Sequence, residues 1–163
     1  MKVTIGYQVF VWVNDLHQRQ SRYDIALTRS RELGKPLLVV GGPNPSSSNC
    51  LLCRTLGVYT HGYGDCCADI LKEACEGAPR VVVTDVRNMP FRDKEFGVAY
   101  CSHVLEIMPS AHECQLAIDE LCRVADEVVI TSRTKMSVGN WFSNDLKQWV
   151  YQRQDGSIFI ESR

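Results

Sequence analysis

The sequence predicts an α/β protein with a doubly wound, mostly parallel sheet, helices on both faces and a C-terminal antiparallel hairpin. Three observations predict it. Short continuous apolar runs recur at "PLLVV", "RVVVTD", "FGVAYCS" and "EVVIT", as expected of strands buried on both faces. Segments with helical periodicity or helix caps separate them, which is the rhythm of parallel crossover units. Finally, "LKQWVYQRQDGSIFIES" holds two alternating segments around Asp155-Gly156, the strongest short hairpin signal.

The elements follow in order. Val3, Ile5, Tyr7, Val9, Val11 and Val13 alternate with Thr4, Gly6, Gln8, Phe10 and Trp12. Period two with β-branched enrichment reads formally as a strand, and an apolar helix start is the rival. Residues 1–13 are therefore set apart as an apolar N-terminal arm, ahead of a single domain over 14–163. Packing on its own domain is the simplest role for the arm; docking to a partner or shallow membrane contact are the functional alternatives. From Asn14 to Leu33 the pattern is helical, with Leu16, Tyr23, Ala26 or Leu27, and Ser30 near one face. Asn14 is the expected cap, and Gly34 before Lys35-Pro36 the stop.

"PLLVV" is then a buried strand running into Gly41-Gly42-Pro43-Asn44. Ser46 to Leu56 reads as a short helix, "DCCAD" (65–69) as a strand and Ile70 to Cys75 as a helical turn or two. Arg80 to Asp85 and Phe96 to Ser102 read as buried strands. Ala111 to Ala125 is an amphipathic helix with Cys114, Ala117, Ile118, Leu121 and Val124 on one side, and 127–131 is a further buried strand. The hairpin is expected to finish the sheet, with Trp141 and Trp149 covering its late part.

Composition narrows the function classes. The chain has 163 residues, 45% of them hydrophobic and 23% charged, with net charge −1. That length suits one domain. The charge balance carries no nucleic-acid signature and no acidic tail for a basic partner. Eight cysteines stand at 50, 53, 66, 67, 75, 101, 114 and 122. Nothing near the start reads as an export signal, so they are read as reduced thiols of a cytoplasmic protein. The apolar arm is shorter than the roughly 20 residues that span a bilayer. Cys50, Cys53, Cys66 and Cys67 could in principle supply a zinc site. Adjacent strand residues point to opposite faces, however, so Cys66 and Cys67 do not converge, and no metal is expected.

In an open parallel sheet, ligands bind beyond the carboxyl ends of the strands, at the switch point between its halves. Three such ends carry useful groups. Gly41-Gly42-Pro43-Asn44 follows "LLVV", and glycines let backbone approach a ligand closely. Asp69, with Ile70 beside it, ends the next strand 28 residues after Gly41, a placement that suits ribose hydroxyls. Asp85 ends "VVVT", where a carboxylate can accept from an exocyclic amine.

The stretch "TDVRNMPFRDKEFGVAYCSHVLEIMP" (84–109) resembles the middle of class I S-adenosylmethionine-dependent methyltransferases of the small methyltransferase-domain type. Asp85, Met89-Pro90-Phe91, Asp93, Phe96 and Ser102-His103-Val104-Leu105-Glu106 match that family's "LPF-x-D-x-xFD" and "SHVLEH"-like segments. "CQLAIDELCRVADEVVIT" resembles its helix and fifth strand, and the closing hairpin its last two strands. The resemblance covers about Pro36 to Ser162. It implies a Rossmann-like domain that binds S-adenosylmethionine and transfers its methyl to an unidentified acceptor. Gly41, Gly42, Pro43 and Asn44 would run beside the methionine part, Asp69 would hold the ribose, and Asp85 with Val86 would meet adenine. Cys101, Ser102 and His103 would face the sulfonium and the substrate. His103 is the candidate base; the alternative is a structural side chain at a strand end. The sequence departs from the family where Val39 replaces the acid of the first motif. Pro43 and Pro45 replace two glycines, and a proline lacks an N–H. Gly97 replaces the acid of "FD", and Ile107 the second histidine. The alternative function is a methyltransferase-like binding or scaffold protein with little or no activity, tethered to a partner or membrane through the arm. A homo-oligomer fits either reading.

Overall fold

The structure, a computed structural model, describes residues 5–44, 55 and 61–163. The helix expected over Ser46 to Leu56 falls, apart from Thr55, outside the described residues, as do Pro45, Cys50 and Cys53.

The first element is α1, Ile5–Leu33. The strand reading of residues 2–13 is corrected: the described part of the arm is helix, and Asn14 lies inside α1 rather than capping it. A lone strand must find a neighbour for its backbone groups, whereas a helix satisfies them internally. Gly34 ends the helix as expected, in the left-handed region (φ 64°). There its N–H donates to Arg31 O at 3.1 Å, a C-terminal closure for which glycine is suited.

Five parallel strands form the sheet: β1 (Leu37–Val40), β2 (Cys66–Asp69), β3 (Val81–Val83), β4 (Phe96–Ser102) and β5 (Ala125–Thr131). Their order is β3-β2-β1-β4-β5, so the chain winds outward from β1, then crosses back to β4. Every residue of β1 and β4 is buried, as the continuous apolar runs predict. β3 departs from its expected burial. It is the edge strand, and Val81 and Val83 are exposed, so its β-branched run sets strand conformation without setting burial.

Strand alternation sorts the two cores. Leu38, Val40, Cys66, Ala68, Ala99 and Cys101 pack toward α2 (Ala111–Val124), against Cys114, Ala117, Ile118, Leu121 and Val124. Leu37, Val39, Cys67, Val98 and Tyr100 face the other way, against Tyr23 and Ala26 of α1. Cys66 and Cys67 thus lie in different cores, as their adjacency on a strand requires. Ser110 caps α2, its Oγ accepting from Glu113 N at 3.2 Å.

A short helix α3 (Val138–Trp141) leads to the hairpin, β6 (Gln148–Gln152) and β7 (Ile158–Ser162), which turns at Asp155-Gly156. Trp149 is buried and Trp141 packs on it, ring centroids 5.3 Å apart. The hairpin does not finish the parallel sheet but forms its own two-stranded one. A side chain spans the gap: Gln152 Oε1 accepts from Ile130 N at 2.8 Å and Nε2 donates to Val128 O at 2.7 Å. One primary amide so serves the free edge of β5 as a peptide group would.

Gln152→Ala should leave that donor and acceptor of β5 without partners. The expected loss is about 1–3 kcal/mol of unfolding free energy, read from denaturant titration; an unchanged midpoint would remove the bridge from the account.

Candidate cofactor and active site

A cavity of about 880 Å³ opens at the carboxyl ends of the parallel strands, where the switch between β1 and β4 leaves a crevice. All ten residues singled out in sequence line it: Gly41, Gly42, Pro43, Asn44, Asp69, Ile70, Asp85, Val86, Ser102 and His103. Cys101, expected beside them, faces the α2 core instead. Burial pushes its thiol well above the ordinary value, so it stays a thiol and serves as packing.

The loop after β1 is pinned on all sides. Gly41 is left-handed (φ 86°), and a Cβ there would lie 2.3 Å from Ser102 O. Only glycine permits this approach of β1 to the end of β4. Gly41 N donates to Ala68 O at 3.1 Å, Gly42 N to Asp69 Oδ2 at 2.9 Å and Asn44 N to Ala74 O at 3.1 Å. The other oxygen of Asp69 accepts from Leu71 N at 2.9 Å. Each carboxylate oxygen keeps a lone pair directed elsewhere. Asp85 is gripped by its neighbour: Oδ1 accepts from Arg87 N and Nε, both at 2.9 Å, and Oδ2 from Arg87 Nη2. Arg87 Nη1 reaches Glu113. This grip holds the Asp85 carboxyl below its usual range.

His103 follows directly on β4 in the left-handed region (φ 57°), uncommon for a residue with a side chain and frequent at functional sites. Its Nδ1 stands 2.9 Å from Oε1 of the fully buried Glu106. The ring is turned so that no aligned hydrogen bond forms, and Nδ1, Nε2 and Glu106 Oε2 all lack partners. Glu106 Oε1 also accepts from Arg133 N at 3.1 Å. Burial pushes the Glu106 carboxyl up, but the charges of His103 and Arg133 and its hydrogen bonds outweigh this and keep it below the usual value. Arg133 in turn pairs with Asp145 at 2.9 Å.

The opposite wall was missed in sequence. Val11, Trp12, Asp15, Leu16 and Arg19 of α1 line the cavity, with His61 beside them. The arm thus packs on its own domain; Gln8 Oε1 accepts from Val138 N at 3.1 Å. Asp15 and Arg19, four residues apart and paired at 2.6 Å, carried the available signal, an i,i+4 charge pair. His61 stacks on Tyr23 and sits edge-on to Tyr100, centroids 5.9 and 5.0 Å away. No local pattern marks it.

Residues 49–127 match the family model described as a methyltransferase domain. The matched stretch runs through β2, β3, β4 and α2 into β5, and over it the chain is similar to a methyltransferase domain. No curated protein matches. Among solved structures, a Pyrococcus horikoshii protein is 16% identical, covering 80% of this chain and 64% of its own, with TM-score 0.45. A Methanosarcina mazei protein titled as a SAM-dependent methyltransferase is 14% identical, covering 78% and 72%, with TM-score 0.42. The Burkholderia thailandensis 1,6-didemethyltoxoflavin-N1-methyltransferase, bound to 1,6-didemethyltoxoflavin and S-adenosylhomocysteine, is 10% identical, covering 99% and 75%, with TM-score 0.43. The chain spans less than two thirds of the Pyrococcus protein.

Burial lowers the His61 pKa to about 4. The unfolded chain protonates this imidazole near pH 6.5 and the native chain does not, so stability should fall as pH drops through that window. The expected His61 contribution between pH 7.5 and 5 is about 2 kcal/mol by proton linkage. Comparing unfolding at pH 7.5 and 5 in wild type and His61→Phe tests it; equal pH slopes in the two proteins would refute it.

Proposed function

We propose that the chain is an S-adenosylmethionine-dependent methyltransferase acting on a small acceptor held between α1, His103 and the segment 133–140. What supports this most is that the residues singled out at three successive strand ends share one cavity. The donor set fits the cofactor. Asp69 offers lone pairs to vicinal hydroxyls from a fixed carboxylate. Ile70, Leu71 and Val86 give apolar walls for a flat ring, and Asp85 an acceptor at its edge. When bound, the cofactor supplies a methyl group on a sulfonium.

The chain's own work is to bind, orient and handle a proton. His103 Nε2, buried and unpartnered, takes the proton of an acceptor O–H or N–H, leaving the electron pair on the acceptor atom. The Glu106 carboxylate beside Nδ1 offsets the imidazolium charge so formed. Glu106 is thus a positioning residue for His103. The free thiols of Cys66, Cys67, Cys75, Cys101, Cys114 and Cys122 fit a reducing, cytoplasmic setting. Among the described residues, no helix is long and apolar enough to cross a membrane.

One observation favours the second reading, a methyltransferase-like binding or scaffold protein. The N–H groups of Gly41, Gly42 and Asn44 are all taken by the protein, and Pro43 has none. Calorimetric titration with S-adenosylmethionine and S-adenosylhomocysteine decides between them. Micromolar binding is expected, weakened at least tenfold by Asp69→Asn and changed less than about threefold by His103→Asn. Silence at millimolar ligand would end the enzyme reading.

A further inference from the structure

We infer that the outward face of the first turns of α1 and the segment after β5 together form a surface that docks on an anionic lipid bilayer. This surface is independent of the cofactor reading above.

A helix that is apolar on all sides normally lies inside a larger structure. Residues 5–13, "IGYQVFVWV", carry no charge. One side of this stretch is used by the domain: Gln8 Oε1 accepts from Val138 N, Val11 is buried and Trp12 lines the cavity. Val9, Phe10 and Val13 point away from that side and are exposed, Phe10 to 65%. The Gln8 contact sets the segment 133–142 beside them. That segment exposes Met136, Trp141 and Phe142, the last to 80%. Val11 and Trp12 from one element and Ser137 and Asn140 from the other line the same cavity, so the apolar tips stand around its mouth. Large apolar side chains gathered in the open mark a docking face.

The charge pattern selects the occupant. Residues 1–14 hold Lys2 and no acid, and residues 133–142 hold Arg133 and Lys135 and no acid, in a chain of net charge −1. Asp145 and Glu161, which reach this segment from outside it, are spent on Arg133 and Lys135. Lys147 and Arg163 donate to the main-chain carbonyls of Trp141, Ser143, Asn144 and Leu146, which sets two further cations around Phe142. Aromatic tips fringed by lysine and arginine suit the boundary between lipid headgroups and acyl chains. The tips enter it, and the cations meet anionic headgroups. Neither segment holds an acid that would repel them.

The test is co-sedimentation of the full chain with vesicles of phosphatidylcholine containing about one third phosphatidylserine, and with vesicles of phosphatidylcholine alone. Wild type should partition at least tenfold more strongly onto the anionic vesicles, and rising salt should weaken this. Phe10→Ser and Phe142→Ser, both at exposed positions that leave the core intact, should each weaken partition about threefold or more, and the double variant at least tenfold. Leu116→Ser removes an exposed apolar side chain from α2, across the sheet, and should change nothing. Failure of wild type to bind anionic vesicles overturns the assignment, as does an equal loss in Leu116→Ser and in the double variant. Self-association of wild type that is abolished in the double variant, without vesicle binding, would give the face to a second copy and overturn it too. Cofactor titration of the double variant reads separately, since neither phenylalanine lines the cavity.

Discussion

The floor of the cavity depends on one buried carboxylate. Glu106 is almost wholly removed from solvent, a placement that costs several kcal/mol unless charge and hydrogen bonds compensate it. Its side chain holds the Arg133 N–H and stands against the His103 ring, and its carbonyl accepts from Lys147 N at 2.8 Å. The neighbouring turn adds Leu105 O and Met108 O, both accepting from Gln148 Nε2. The end of β4, the chain leaving β5 and the start of β6 therefore meet at a single turn. Loss of the charge at this point would release the His103 ring and the Arg133 N–H, while the hairpin stays held by the main-chain carbonyls of the same turn.

A second constraint lies at the switch point. β1 and β4 must come close where the sheet reverses its winding, and the backbone at Gly41 approaches Ser102 too closely for any side chain. That approach brings the loop after β1 beside Ser102 and His103, so the cradle and the candidate base share one wall. The loop then packs on Ala74, where a Cβ on Gly42 would also collide. Over residues 41–44 the N–H donors face inward, so this described stretch has few to offer a ligand.

The motif segments have structural work of their own. Arg123 of α2 donates to Met89 O and Phe91 O and pairs with Asp93, while Glu120 accepts from Met89 N at 2.7 Å. The "MPFRD" turn and the "ELCRVA" helix end are thus two sides of one latch, which carries the chain from β3 across to β4. Residues distant in sequence thus serve one joint.

The sequence by itself determined β1, β2, β4, β5, α2 and the hairpin, because each is written locally in apolar period, caps or turn residues. It also placed Asp69, Asp85 and His103 at strand ends, since position along a strand follows from its length. Only the tertiary structure decided the rest. Residues 5–13 alternate like a strand but lie in a helix, because α1 meets its own backbone needs and a lone strand has none met. Val81–Val83 looks like a core strand but is an edge, because the order of strands is not written in any one of them. Arg19 and His61 line the cavity through contacts with residues far away in the chain, Tyr100 for both and Tyr23 for His61. Their roles follow from which neighbours the fold gives them, and no local pattern encodes that.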